Sequence, residues 1–324
     1  MTRLRLGTRG SQLALWQART VAGRLEAAGV ATCEIVVIKT SGDRLSEANL
    51  SAIGGKRLFV KEIEDALLGG TVDIAVHSAK DMPAVLPSGL AIAAVLERED
   101  PRDAVVLAAG VPGRLDAGVP LVEGLDGMRR VGTSSIRRTA QLRRALPAAT
   151  FLPVRGNLDT RLRKLDEGQF DAIVLATAGL KRLGFSERIS ARLPLEVCVP
   201  APGQGIVAIE TREDDDRALA AVGAVSDGPS LQALLAERAL VEALGGGCQM
   251  PIGAIAVHDG ERLVLSAVVV APDGAALVSA ADRDHPSSAA SLGRRVAGRL
   301  LDEGAAAILD AVRRPSPSAS HEAD

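Results

Sequence analysis

The sequence predicts an α/β chain that gives way to an antiparallel α+β segment in its last third. Three observations carry this. Short apolar runs alternate with helical periodicities through about residue 200. The pattern restarts after Glu97-Arg98-Glu99-Asp100-Pro101 and breaks again over Val199-Pro200-Ala201-Pro202-Gly203-Gln204-Gly205. From about Ser230 a helix leads into three closely spaced strand-like runs.

Leu4 to Gly7 reads as a strand, and a Thr8-Arg9-Gly10-Ser11 turn opens a helix from Gln12 to about Ala28. Ile35 to Ile38 is a second strand. The polar stretch Thr40 to Lys56 lacks periodicity and reads as a mobile loop. Phe59 to Leu68 is helical, and Val72 to Val76 is a buried strand ending in His77-Ser78-Ala79-Lys80-Asp81-Met82-Pro83. The alternation indicates a parallel sheet. After the first break come strands at Ala104 to Leu107, Arg130 to Gly132, Phe151 to Val154 and Ala172 to Ala176. Helices follow the second and third of these, to about Leu146 and Asp166, and the last leads into Thr177-Ala178-Gly179-Leu180-Lys181-Arg182. The final third reads as a helix to Leu244, strands at Ile252 to Val257, Leu263 to Val270 and Leu277 to Ala281, and helices over Ser287 to Leu301 and Ala305 to Val312. The Pro/Ser-rich tail after Pro315 reads as disordered.

Composition narrows the function. The 324 residues suffice for two or three domains, with no Tyr, one Trp and four Phe, so aliphatic side chains must build the cores. A net charge of −2 argues against binding nucleic acid through overall charge. Cys33, Cys198 and Cys248 are far apart and odd in number, which gives neither a disulfide framework nor zinc spacing. The N-terminus enters a strand at once and no run spans a bilayer, so a cytoplasmic, reduced protein is expected. No G-x-G-x-x-G fingerprint occurs, and Gly54-Gly55-Lys56 lacks P-loop spacing.

Two features point to chemistry. Gly245-Gly246-Gly247-Cys248 places a thiol after three conformationally permissive residues, either a presented nucleophile or a small apolar side chain in a turn. Polar clusters also follow the carboxyl ends of the strands: Arg9 and Ser11; Ser78, Lys80 and Asp81; Thr133, Ser134, Ser135, Arg137 and Arg138; Arg155 and Arg161; Arg182. That edge is where open α/β sheets bind ligands, and helix N-termini there favour anions. The bland alternatives are a solvated helix face for the Arg pairs, a helix cap for Thr133 to Ser135, and a turn for Asp81. An opening to a DNA-recognition helix at Ser134 to Arg138 lacks a helix-turn-helix partner. The residues alone support a polyanion-binding α/β protein with a presented thiol.

The chain resembles the porphobilinogen deaminase (hydroxymethylbilane synthase) family. The matching segments are TRGSQLALWQA (8–18), GGKRLFVKEIE (54–64), DIAVHSAKDMP (73–83), EREDPRDA (97–104), VGTSSIRR (131–138), RGNLDTRLRKLD (155–166), LATAGLKRLG (175–184), PAPGQG (200–205) and GGGCQMPIG (245–253), in order along nearly the whole chain. The resemblance implies two doubly wound domains similar to type II periplasmic binding proteins, with two crossings between them, and a small α+β C-terminal domain with an antiparallel sheet. The expected boundaries are 1–99 plus 200–223, 100–199 and 224–313, with a tail at 314–324.

The resemblance also implies a monomeric transferase. It would join four porphobilinogen molecules into linear hydroxymethylbilane, primed by a dipyrromethane cofactor held through a thioether to Cys248. Neither metal, nucleic acid nor membrane would be involved. Arg9, Arg137, Arg138, Arg155, Arg161 and Arg182 match positions that pair with pyrrole carboxylates. Ser11, Ser78, Thr133, Ser134, Ser135 and Lys80 would assist, and Asp81 matches the carboxylate that stabilises cationic intermediates. Gly10, Arg57 and Gly245 depart from residues common in the family. The competing class is a non-catalytic anion binder of the same architecture.

Overall fold

The computed structural model describes residues 1–41, 60–109, 129–247 and 250–313. The strands are β1 (Thr2–Thr8), β2 (Ala31–Val37), β3 (Ile74–Ser78), β4 (Leu90–Val95), β5 (Asp103–Leu107), β6 (Arg130–Gly132), β7 (Thr150–Leu152), β8 (Ala172–Ala176), β9 (Ala191–Arg192), β10 (Val207–Arg212), β11 (Ile252–Asp259), β12 (Arg262–Val270) and β13 (Leu277–Asp284). The helices are α1 (Gln12–Ala27), α2 (Lys61–Leu68), α3 (Ile136–Ala145), α4 (Leu158–Asp166), α5 (Thr177–Arg182), α6 (Asp216–Gly223), α7 (Gly228–Ala243), α8 (Ala289–Asp302) and α9 (Ala305–Arg313).

Among the described residues these strands form three sheets, ordered β2-β1-β3-β10-β4, β7-β6-β8-β5-β9 and β11-β12-β13. The first two share one plan. β1 pairs in parallel with β2 and β3, and β6 with β7 and β8. Into each sheet runs one antiparallel strand that follows a crossing: β5 beside β8 and β9, and β10 between β3 and β4. The sheets are therefore mixed, where simple strand–helix alternation predicts parallel pairing. Both antiparallel strands enter along the segments that read as breaks, so neither belongs to a β-helix-β crossover.

Burial on both faces explains the continuous apolar strands. In β5, Ala104 and Val106 pack with Leu165, Ile173 and Leu180 on one face. Val105 and Leu107 pack with Leu142, Val174 and Leu193 on the other. The first sheet buries Leu4, Leu6, Ile74, Val76 and Ile209 against Val21 and Leu25 of α1. The third sheet covers Leu263, Leu265, Ala267 and Val269 with α7, α8 and α9.

Ion pairs and main-chain bonds tie the three sheets together. Glu237 of α7, fully buried, receives the Arg98 guanidinium at 2.6 and 3.2 Å, Gly203 N at 2.6 Å and Ala256 N at 2.7 Å. Arg143 and Arg144, in the last turn of α3, donate to the carbonyls of Pro272 and Gly274 beyond β12. Ala254 N of β11 bonds Pro200 O in the second crossing.

Candidate active site

The strand ends assemble as local sequence dictates. Ser11 caps α1, its Oγ accepting from Ala14 N at 3.3 Å. After β3 the chain makes a single 3-10 turn, Ala79–Asp81, which stops before Pro83. Ser78 exchanges hydrogen bonds with the Gln17 amide of α1 at 2.9 and 3.3 Å. On the second sheet, Gly132 lies so close to Ile173 and Phe170 that a Cβ would sit 2.8 and 2.9 Å from them. Ser134 Oγ donates to Val154 O at 2.8 Å, and Ser135 caps α3 by accepting from Arg138 N. Thr133 is buried, and its Oγ1 accepts from Ser135 N. These side chains thus cap and brace the turn, as the bland alternative holds, while lining the edge.

Arg137 and Arg138, matched in sequence to positions that pair with pyrrole carboxylates, already pair with a carboxylate of the protein itself. Neither lies on a solvated face. They are 4% and 7% exposed and share one carboxylate, Asp103 at the start of β5. Arg137 Nη1 reaches Asp103 Oδ2 at 2.7 Å and Val199 O at 2.7 Å, with Cys198 Sγ at 3.4 Å. Arg138 reaches Asp103 Oδ1 through Nε at 3.0 Å and Nη2 at 2.8 Å, and Val174 O through Nη1 at 2.9 Å. Gln204, from the second crossing, adds a bond to Asp103 at 2.9 Å and accepts from Lys80 Nζ at 3.4 Å. Burial opposes the Asp103 charge, but the two guanidiniums hold its carboxyl far below the usual carboxylate range. Burial likewise opposes the Arg137 charge, and Asp103 more than offsets it, so Arg137 is held above its ordinary value.

Three other cations are pushed the opposite way. Burial, with the nearby Arg138 charge, lowers Arg161 to about 10, and Asp81 acts against that shift across the space between the two sheets. Arg161 Nε donates to Gly156 O at 2.8 Å. Gly156 has φ of +106°, and a Cβ there would meet Thr160 at 2.6 Å. Burial lowers Arg182 to about 10 against the pull of Glu99. Its Nη2 donates to Gly205 O at 2.6 Å, and its guanidinium lies 5.6 Å from the Trp16 ring centroid of α1. Lys80 is half-buried as a residue, yet burial pushes its ammonium down to about 8, opposed by Asp81. Asp81 itself is exposed. Arg9 and Arg155 are part-buried at the ends of β1 and β7.

Burial disfavours the charge on each of these three cations, and an anionic ligand with several carboxylates would favour it. The donor set therefore fits a polycarboxylate such as a dipyrromethane with acetate and propionate arms. Among the described residues no three His, Cys, Asp or Glu side chains gather to hold a metal. A cavity of about 420 Å³ between α4 and Phe185, lined by Asp159, Leu162 and Arg188 among others, contains none of the strand-end residues. Cys248 lies outside the described residues, as do most of Thr40 to Lys56, with Arg57, and the tail. Burial pushes the other two thiols up, Cys33 to about 11 and Cys198 to about 12, which leaves both poor nucleophiles at neutral pH.

Sequence reasoning missed Asp103, Gln204, Gln17 and Trp16. All four lie inside matched segments but carried no assigned role. A carboxylate opening an apolar strand was the available signal for Asp103.

Comparison with known proteins gives the family. Residues 4–220 match the family model described as "Porphobilinogen deaminase, dipyromethane cofactor binding domain", and residues 231–302 match "Porphobilinogen deaminase, C-terminal domain". A porphobilinogen deaminase of Syntrophomonas wolfei is 45% identical over 97% of this chain and 100% of its own. One from a Roseiflexus species is 46% identical over 94% and 97%. Among solved structures, an ancestral cationic amino acid solute binding protein is 16% identical over 68% of this chain and 86% of its own, with a TM-score of 0.40.

Proposed function

The chain belongs to the porphobilinogen deaminase family, and we propose that its reaction centre is the strand-end cluster around Asp81. Enzymes of this family are transferases that deaminate four porphobilinogen molecules and join them head to tail into hydroxymethylbilane. When bound, the dipyrromethane supplies the nucleophilic pyrrole carbon that starts the chain.

The protein's own residues divide the remaining work. Each incoming porphobilinogen loses ammonia from its aminomethyl carbon and becomes a cation. Asp81, exposed and facing the space shared with Arg161, stabilises that charge electrostatically. Arg161, Arg182 and Lys80 take the acetate and propionate carboxylates, since a bound anion relieves the lowered pKa of each. Arg9 and Arg155 extend the cationic edge, with Ser11, Ser78 and Ser134 as hydrogen-bonding partners. Arg137 and Arg138 act from fixed positions, because Asp103 holds both forks. Cys248 carries the cofactor.

The observation that carries this reading is that Lys80 and Arg161, from different sheets, both lie close enough to the exposed Asp81 to feel its charge, while burial disfavours their own. The fold supports a division into 1–99 with 200–223, 100–199 and 224–313, one unit per sheet. We further read the chain as a cytoplasmic monomer that uses neither nucleic acid nor membrane. A net charge of −2 argues against binding nucleic acid through overall charge, and no single described helix is long and apolar enough to cross a membrane.

Intact mass tests the assignment. The purified chain should be two pyrrole units heavier than its sequence, and Cys248→Ala should have the bare mass and no turnover. An adduct mapped to Cys33 or Cys198 would refute it.

A further inference from the structure

The turn that carries Asp81 is held at many points on one side and at few on the other. Before the carboxylate, Ser78 is braced by Gln17 of α1, Ala79 N bonds Ile206 O at 3.0 Å, and Lys80 reaches Gln204. Asp81 is exposed, and among the described residues no hydrogen bond fixes its carboxylate. Its place is therefore set by the main chain on either side. After it come Met82, whose N–H returns to Ala79 O at 3.2 Å, and Pro83, which has no N–H to give. The next hold is Ala84 O, which accepts from Arg238 Nη2 of α7 at 2.8 Å. Among the described residues this is the hydrogen bond that ties residues 83–86 to the rest of the fold.

The helix is well placed to give that bond. Leu234, one turn before Arg238 and so on the same face, shares a buried cluster with Ala79 and Met82. A Cβ on Gly203 would lie 3.0 Å from Ala79 and 3.1 Å from Leu234, so the second crossing fills the space between helix and turn. Glu237 anchors the same helix through Arg98, Gly203 and Ala256. Arg238 is half-buried; burial disfavours its charge, and Glu210 of β10 and Glu242 of α7 act in its favour. Glu210 is fully buried and lies 3.1 Å from Nε2 of His77, the residue before Ser78.

We propose that Arg238 is a positioning residue for Asp81. The proposal rests on the functional reading above. Arg238 acts through the main chain: from a helix of the C-terminal unit it holds the carbonyl three residues beyond the carboxylate. Asp81 works by standing where positive charge develops as ammonia leaves, and that stabilisation needs a fixed place as well as a charge. Ser78 and Lys80 have their own braces upstream. Loosening Ala84 therefore moves the Asp81 carboxylate and spares the groups that hold the substrate's acetate and propionate.

The test uses the cofactor-loaded full chain, with loading checked by intact mass and folding by thermal melting. Arg238→Met and Arg238→Ala should lower kcat about tenfold or more, the order expected of a misplaced catalytic group, and leave KM within about twofold of wild type. Arg238→Lys keeps a donor for Ala84 O and should restore most of kcat. Asp81→Asn combined with Arg238→Met should be no slower than Asp81→Asn alone, because no charge is then left to place; a merely structural role would add its own loss. Hydrogen exchange of the peptide spanning 79–90 should quicken in Arg238→Met. Wild-type kcat in both truncations, a rise in KM that accounts for the loss, additive losses in the double variant, unchanged exchange or no rescue by Lys each overturn the proposal. Failure of both truncations to fold or load overturns it too, since Arg238 would then be structural. If Asp81→Asn itself turns over normally, the functional reading falls and the proposal with it. If Asp81→Asn is slow while both truncations are not, the proposal falls alone.

Discussion

Replacing Asp103 by Asn should cost the protein about 3–5 kcal/mol, the range for removing one partner of a buried ion pair. The carboxylate is fully buried and serves Arg137, Arg138 and Gln204 through four nitrogen contacts between 2.7 and 3.0 Å. Asn keeps one acceptor but loses the charge, which leaves two guanidiniums in the interior with neutral acceptors only, among them the carbonyls of Val199 and Val174. Urea unfolding followed by far-UV circular dichroism measures the loss. The pH dependence supplies a second reading. The folded carboxyl is held far below its unfolded value, so the stabilisation is full above the unfolded pKa near 4 and is lost as pH falls towards the folded pKa. Asp103→Asn should remove that part of the acid-side slope. A triple variant with Leu at 103, 137 and 138 should recover much of the stability, because it removes the buried charges together, while failing to load cofactor. A cost for Asp103→Asn below about 1 kcal/mol, comparable to an exposed pair, would refute the network as a buried anchor.

Asp81→Asn should fold, load cofactor and lose about 10²-fold or more in turnover, since the substitution removes charge but little volume; near-normal single-turnover rates would remove Asp81 from the mechanism. Lys80 is an ammonium below about pH 8 and loses its charge as pH rises through that value. The KM for porphobilinogen should therefore climb above pH 8 in wild type and stay flatter in Lys80→Arg, whose guanidinium remains charged. Parallel KM profiles would show that Lys80 does not hold substrate carboxylate.

The parts of the fold legible in the sequence are those set by local periodicity. Ala172 to Ala176 coincides with β8, and Arg130 to Gly132 with β6. β2 is read too late because Thr32, Cys33 and Glu34 sit on an edge strand where one face tolerates polarity. β4 and β10 are missed because Leu90 to Val95 and Val207 to Arg212 stand beside breaks rather than between helices. At the site, residue types at strand ends reveal which groups are present. They do not reveal which partner each takes. Arg137 and Arg138 look alike in sequence to Arg143 and Arg144. Only the return of β5 beneath α3, bringing Asp103 from 34 residues away, makes the first pair a buried anchor. The bond from Arg313 of α9 to the Gly245 carbonyl is invisible for the same reason, because it joins two helix ends 68 residues apart.

β10 lies between β3 and β4, so the first sheet lacks an inner strand until residue 212 has been made. The second sheet, by contrast, draws all its strands from 103–192. On the ribosome the middle of the chain can complete its hydrogen-bonded layer first, while the earlier N-terminal strands wait with two open edges. The two crossings that join the first two sheets therefore also set an order of assembly. The N-terminal half closes last, around a strand delivered from beyond its neighbour, and a nascent chain stalled before residue 207 would carry its aggregation-prone edges at β3 and β4.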